Sequence, residues 1–396
     1  MTLRRFLFWV HLTAGCVAGL VILVMSVTGI LLAYRRQIIR WGDRRFQTQP
    51  AAGAQRLRLE DLLAAAQEAQ GRPPFNITVR ADSVAPVAFD FGRERTVFVN
   101  PYTGKILGEG SPGLRRFFST VEDVHRWLGV GGEGRSSGRA VTGACNLTFL
   151  ILVTTGPFLW WPKQWNWDNL KKITLFRGGA WVRARDWNWH NVLGFWCVLP
   201  LFLIVITYVI MSYAWANNLL YGMTGNAPPP QSQPAAQSLP ERSRNSGQRS
   251  IGEHAAHGVE SHYDGLERLF VRAGQQIPDF TTISLRLPNP PANALTFSID
   301  RGNGGRPDLR SQLTLDRATG EIVRWEAFSS YNSGRRLRAW ARFTHTGEAG
   351  GLLGQTIAVM ASAGAALLVV TGLSLGVRRF LAWKGRRVKV LAPTGS

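Results

Sequence analysis

Four stretches of this sequence carry no Asp, Glu, Lys or Arg: Phe6–Tyr34, Ala140–Trp161, Asn191–Tyr221 and Leu352–Val377. Each reaches the ~20 apolar residues needed to cross a hydrocarbon core of ~30 Å. The expected fold is therefore an α-helical membrane protein with four transmembrane helices, at residues 6–34, 138–161, 187–216 and 351–378. Segments 35–137 and 217–350 then lie on one side of the bilayer, and the loop 162–186 and tail 379–396 on the other. The first stretch is too long for a signal peptide, and no small-residue cleavage site follows it, so it is expected to stay as a helix.

The chain of 396 residues has a formal charge of +21, and the position of that charge matters more than its size. Arg4 and Arg5 precede the first span. Lys163, Lys171, Lys172, Arg177, Arg183 and Arg185 fill the short loop between the second and third spans. Arg378, Arg379, Lys384, Arg386, Arg387 and Lys389 follow the fourth. The positive-inside rule makes that face cytoplasmic, with both termini on it. Arg35, Arg36, Arg40, Arg44 and Arg45 oppose the bias but open a long loop, where the rule counts for less. A charge that flanks spans, without forming one patch, disfavours nucleic-acid binding. Cys16, Cys145 and Cys197 all fall within spans, so the extramembrane segments have no disulfide framework. Three thiolates are too few for an iron–sulfur cluster held by this chain alone. The absence of CxxCH excludes the usual covalent haem.

The two long segments share a pattern. The first is expected to hold a helix at Leu59–Gln70 and strands at Asn76–Val79, Val87–Phe91 and Thr96–Val99. The second is expected to hold a helix at His262–Gln275 and strands at Thr282–Leu287, Ala294–Ile299 and Gln312–Leu315. Val97–Ile106 aligns with Leu313–Ile322. In each, Asn100 or Asp316 starts a turn on its own backbone, and Gly104 or Gly320 takes the positive φ. A basic helix ending in histidine follows each hairpin, Gly113–His125 and Gly334–His345, and then a span. The chain reads as a tandem duplication of span, α+β module, histidine, span. Residues 225–250, rich in Pro, Gln, Ser and Ala, read as a disordered insertion.

Of seven histidines, four open a span or lie just inside one: His11, His125, His190 and His345. Three stand in HxxxG, at His11, His125 and His190, where a glycine one turn on leaves room beside the ring for a flat macrocycle. Topology sorts the four by side, His11 with His190 on the cytoplasmic face and His125 with His345 on the other. Two facing imidazoles are the ligand set of a six-coordinate haem b, so two such haems are expected, with no catalytic side chain beyond their irons. Ionisable groups in spans are costly and usually functional. The plainer role of such histidines is to anchor the interface or bond across helices. A zinc site is disfavoured because zinc takes three or four protein ligands. Arg126, Arg335, Arg336, Arg338 and Arg342 outside, and Arg4, Arg5 and Arg185 inside, are candidate partners for propionates. His254, His257 and His262, with Glu253 and Glu260, offer a weaker metal cluster. The sequence holds no GxGxxG between strand and helix, P-loop, HExxH or GxSxG, so electrons must come from a partner, either quinol or a cytoplasmic reductase.

The HxxxG stretches, the hairpins at Asn100–Ile106 and Asp316–Ile322, and His345–Gly351 together resemble the PepSY-associated transmembrane family over nearly the whole chain. The resemblance implies a bacterial inner-membrane protein in contact with membrane lipid, its two external segments being PepSY-like modules in the periplasm. Some members look like di-haem reductases for ferric siderophores. For this chain that implies electrons passing from the cytoplasmic-side haem to the periplasmic-side haem and on to Fe(III), releasing the metal. Trp127, Trp325, Tyr331 and Trp340 are candidates to border the acceptor. Two other readings stay open: a non-redox protein whose PepSY modules bind a peptide, protease or sensor partner, and a transporter with a second span broken at Gly156-Pro157.

Overall fold

The computed structural model describes residues 2–162, 164–177, 181–229, 263–288 and 292–391. The cluster His254, His257 and His262, the start of the predicted helix at His262 and residues 230–250 of the predicted insertion lie outside them.

In chain order, α1 is Leu3–Leu32, α2 Arg35–Gly42 and α3 Leu59–Gln70. Four strands follow: β1 Asn76–Arg80, β2 Val87–Asp90, β3 Thr96–Val99 and β4 Ile106–Glu109. Then come α4 Pro112–Trp127, α5 Arg135–Trp160, α6 Trp167–Thr174, α7 Val182–Ser212, α8 Ala214–Met223 and α9 Leu266–Gln276. The last part holds β5 Thr282–Arg286, β6 Ala294–Asp300, β7 Arg310–Asp316, β8 Ile322–Ala327, α10 Ser333–His345 and α11 Gly351–Leu391.

Four helices, α1, α5, α7 and α11, are long and apolar enough to cross a membrane. They pack in a ring, α1 against α5, α5 against α7, α7 against α11, and α11 against α1. Asn146 Nδ2 ties α5 to α7 through the Val205 carbonyl at 3.3 Å, and Gln355 Nε2 ties α11 to the end of α1 through the Ala33 carbonyl at 2.6 Å. Two ends differ from expectation. The third charge-free stretch breaks at the extended residue Tyr213, so its last turns form the separate helix α8. The fourth helix runs on through the basic tail. Gly156-Pro157 does not break α5: the helix continues through Pro157 to Trp160.

The strands that the sequence divides between two modules form one sheet. Its order is β4-β3-β2-β1-β5-β6-β7-β8, antiparallel throughout, so two four-stranded meanders meet at β1 and β5. The hairpin turns form as their residues dictate. Asn100 Oδ1 accepts from the N–H of Tyr102 and Thr103, and Asp316 Oδ1 from Ala318 and Thr319. Gly104 and Gly320 sit at φ 70° and 75°. Each half has an irregular register at the same aligned place, Phe98/Val99 and Thr314/Leu315.

Period-two alternation gives the sheet two unlike faces. Ile77, Phe89, Val97, Ile283, Leu285, Phe297, Ile299, Leu313 and Leu315 are buried under α3 and α9. These two helices exchange caps: Glu267 accepts the Leu59 N–H and Glu60 the Glu267 N–H, both at 3.0 Å. A carboxylate at a helix N-terminus satisfies a free donor and complements the dipole. The opposite face carries Thr78, Ser284, Ser298 and Arg310, and turns toward α2.

Leu285 is fully buried and pairs with Ile77 at the seam between the halves. Leu285→Ala is expected to cost about 2–5 kcal/mol. Thr296→Ala, on the polar face, is expected to cost no more than about 1 kcal/mol. Thermal melting of the full chain in detergent should rank the two in that order.

Candidate metal centre in the helix bundle

The four span-associated histidines converge in pairs at opposite ends of the bundle. His11 on α1 and His190 on α7 lie at the end away from the sheet. Their ring centroids are 6.4 Å apart, with planes at 83°. His125 in the last turns of α4 and His345 at the end of α10 lie at the sheet end, against α1 and α7 respectively.

Each imidazole is fixed through Nδ1 by another helix. His11 Nδ1 meets Thr155 Oγ1 on α5 at 2.9 Å, His190 meets Thr371 Oγ1 on α11 at 3.0 Å, and His125 meets Thr28 Oγ1 on α1 at 2.8 Å. His345 Nδ1 meets the Ile204 carbonyl on α7 at 2.8 Å. The tautomer follows from the partners. Each threonine hydroxyl already donates to the carbonyl one turn back: Thr155 to Ile151, Thr371 to Leu367 and Thr28 to Val24. Its oxygen is left to accept, and a carbonyl can only accept, so all four Nδ1 atoms carry the proton. Nε2 then keeps its lone pair in every ring, which is the state a metal requires.

A glycine follows each of the three threonines. At Gly29, Gly156 and Gly372 the space a side chain would take borders the Cε1 edge of His125, His11 and His190. These facing glycines make room for the rings. Of the HxxxG glycines, Gly15 and Gly194 have room beside them, the nearest atoms to the place a side chain would take being those of Leu152 and Leu368 at 3.9 Å. Gly129, with Leu128, ends α4 in the left-handed region, where its N–H bonds the Asp123 carbonyl. The sequence reading of Gly129 as space beside the histidine is corrected to that of a helix stop.

A metal–imidazole bond is about 2 Å long and the ring centre lies about 1.2 Å further out, so two imidazoles on opposite faces of one metal stand roughly 6 Å apart. The His11–His190 separation fits that demand. Among the described residues no group of three or more His, Cys, Asp or Glu converges on one point. A two-imidazole site suits a metal whose other positions are filled by its own ligand, as in a porphyrin.

The candidate arginines are mostly engaged. Arg126 pairs with Glu122 at 3.1 Å and lies over Trp127 at 4.6 Å. Arg342, one turn before His345, lies over Phe343 at 5.7 Å. Arg335 pairs with Glu326 and stacks on Tyr331 at 3.6 Å, and Arg338 bonds Asn217. Arg336 bonds the Ser329 carbonyl. At the other end Arg4 donates to the Leu159 carbonyl at 2.6 Å, and Arg185 pairs with Asp186, which also accepts from Ser374 at 2.7 Å. Tyr331 and Trp340 cluster with Phe328, and Trp325 packs against the sheet core, so these aromatics build structure. Cys16, Cys145 and Cys197 are free thiols.

Glu122 is the hub beside the outer pair. Burial works against its charge, but hydrogen-bonded ion pairs with Arg35 at 2.6 Å and Arg126 at 3.1 Å, and Arg93 at 3.3 Å, hold its carboxyl below the usual range.

Four helices long and apolar enough to cross a membrane, with histidines at two levels and roofed on one side by a sheet, define the class: a multi-span helical membrane protein with an extramembrane β-sheet layer. The chain belongs to the PepSY-associated TM family: the family model described as the PepSY-associated TM region matches residues 8–379. Comparison with curated proteins gives no match.

A carboxylate whose folded pKa is depressed contributes stability that is full above its unfolded pKa and fades as pH falls through the folded one. Glu122 should therefore stabilise the fold above about pH 4.5 and lose that effect below it. Glu122→Gln should flatten the acid side of a melting-temperature profile. An unchanged profile would show that the three ion pairs contribute nothing.

Proposed function

We propose that this protein is a membrane oxidoreductase that holds two haems b and reduces Fe(III) of a ferric siderophore on the sheet side. The observation that carries the reading is the set of four imidazoles, paired at two levels, each anchored through Nδ1 with Nε2 left for a metal. Haem b held by two imidazoles supplies one-electron transfer without a covalent link. His11 and His190 hold the one, and His125 and His345 the other. Thr155, Thr371, Thr28 and the Ile204 carbonyl orient the rings and keep the ligand nitrogens basic. Arg126 and Arg342 lie one residue after and three before the outer histidines, placed to meet propionates. Fe(II) binds hard oxygen donors far less well than Fe(III), so a one-electron reduction frees the iron. The electron donor is a quinol or a cytoplasmic reductase.

We place the chain in a bacterial inner membrane, with the basic loop and tail cytoplasmic and the sheet periplasmic, because short basic segments favour the cytoplasmic side. We read the two meanders as PepSY-like modules from one duplication. The mirrored strand order, the equivalent register shifts and the exchanged caps support that reading.

The purified chain should show a b-type Soret and α band that change with dithionite. His125→Ala or His345→Ala should remove roughly one haem per chain and leave the other. Thr371→Val, which removes the acceptor for His190, should lower inner-haem retention about 10–100-fold, while Thr371→Ser keeps it. A colourless, iron-free preparation from cells well supplied with iron and porphyrin precursors would sink the redox reading. The chain would then be a membrane protein whose PepSY modules grip a peptide, protease or sensor partner.

A further inference from the structure

Between α2 and the polar face of the sheet lies a cavity of about 470 Å³, within the range of small-molecule sites. Its roof is sheet. Thr78, Ser284 and Ser298 stand directly opposite one another on the adjacent strands β1, β5 and β6, giving a row of hydroxyls across the seam. Its floor and side are guanidinium, from Arg35, Arg36 and Arg40 on α2 and Arg310 on β7.

Both carboxylates in the wall accept hydrogen bonds, and Asp300 is also ion-paired. Asp90 accepts from Asn76 at 2.8 Å and Thr96 at 2.6 Å, and Asp300 from Arg310 at 2.9 Å and the Gly302 N–H at 2.6 Å. Arg35 and Arg36 pair with Glu122 and Glu348, at 2.6 and 3.2 Å. Arg40 donates to the Asn303 carbonyl at 2.8 Å and has no ion pair among the described residues. The wall thus combines an unneutralised guanidinium, three more with spare N–H donors, and a line of hydroxyls. That set suits an anion rich in oxygen acceptors, because guanidinium binds carboxylate in a fork and hydroxyls complete the shell. Asp90, held only by neutral donors, is the one lining carboxylate without an ion pair among the described residues, against four lining guanidiniums.

Two ion pairs link the cavity to the segments that carry the outer histidines. Glu122 is one helical turn before His125 on α4, and Glu348 is three residues after His345, just past the end of α10, so the partners of Arg35 and Arg36 are close in sequence to each histidine. We propose that this cavity binds a small polycarboxylate, and that the ferric chelates this protein takes are anionic carboxylate complexes and not cationic hydroxamates. The chelate class rests on the reductase reading; the polycarboxylate site does not.

The test is titration calorimetry of the full chain in detergent with gallium(III) citrate, a redox-inert stand-in, and with the cationic gallium complex of a linear trihydroxamate. Citrate should bind saturably and weaken as salt rises. Arg40→Gln should weaken it at least about tenfold, and Arg40→Lys, which keeps the charge but loses the fork, should weaken it less than Arg40→Gln does. Arg40 is exposed on α2, and circular dichroism checks that the variants fold. Equal binding of the trihydroxamate, no saturable citrate binding, or indifference to Arg40→Gln would each overturn the proposal. So would a change in outer-haem content with Arg40→Gln in a chain that never binds citrate, since the cavity would then serve the porphyrin's own carboxylates. The titration is repeated on His125→Ala. Binding that survives there, in a chain that lacks the outer haem, would separate failure of the reductase reading from failure of this one.

Discussion

A ring N–H within a hydrocarbon layer has no water to bond, and an unmet donor there costs several kcal/mol. The bundle depends on how this chain meets that constraint. Each of four imidazoles gives its Nδ1 proton to an oxygen on a different helix, and in three cases a threonine supplies it. The hydroxyl can serve because its own proton is spent on the turn behind it. One hydrogen bond thus joins two helices, orients a ring and decides which nitrogen stays basic.

The arrangement also divides labour among the helices. α1 and α7 contribute histidines at one end of the bundle and acceptors for histidines at the other. α5 and α11 contribute the remaining acceptors. A shift of either diagonal helix would disturb both levels, so the two sites share one framework. The sheet extends that framework: its apolar face is sealed by α3 and α9, and its hydroxyl face looks down on α2.

Much of this was legible in the sequence. Charge-free length alone locates four spans, and the Asn100 and Asp316 turns form as their side chains require. The histidines stand out because ionisable groups are rare in such segments. Their acceptors do not. Thr28, Thr155 and Thr371 look like ordinary span threonines until helix contacts are known, although the recurring Thr-Gly pair is a signal in hindsight. Gly129 was misread because HxxxG spacing says nothing about where α4 stops. The union of β1 with β5 joins segments some two hundred residues apart, and alternation within either strand cannot reveal it. The cavity depends on that union and was invisible for the same reason.

That seam has a mechanical consequence. Carriers that open alternately to either side let their two halves rock against each other. Here α1 and α5 are bound to one meander, α7 and α11 to the other, and five register-matched residue pairs from Asn76↔Arg286 to Arg80↔Thr282 stitch the meanders together. Rocking would have to tear backbone hydrogen bonds along the middle of a sheet. The extramembrane layer is a tie-beam that holds the two halves of the chain together through the middle of one sheet.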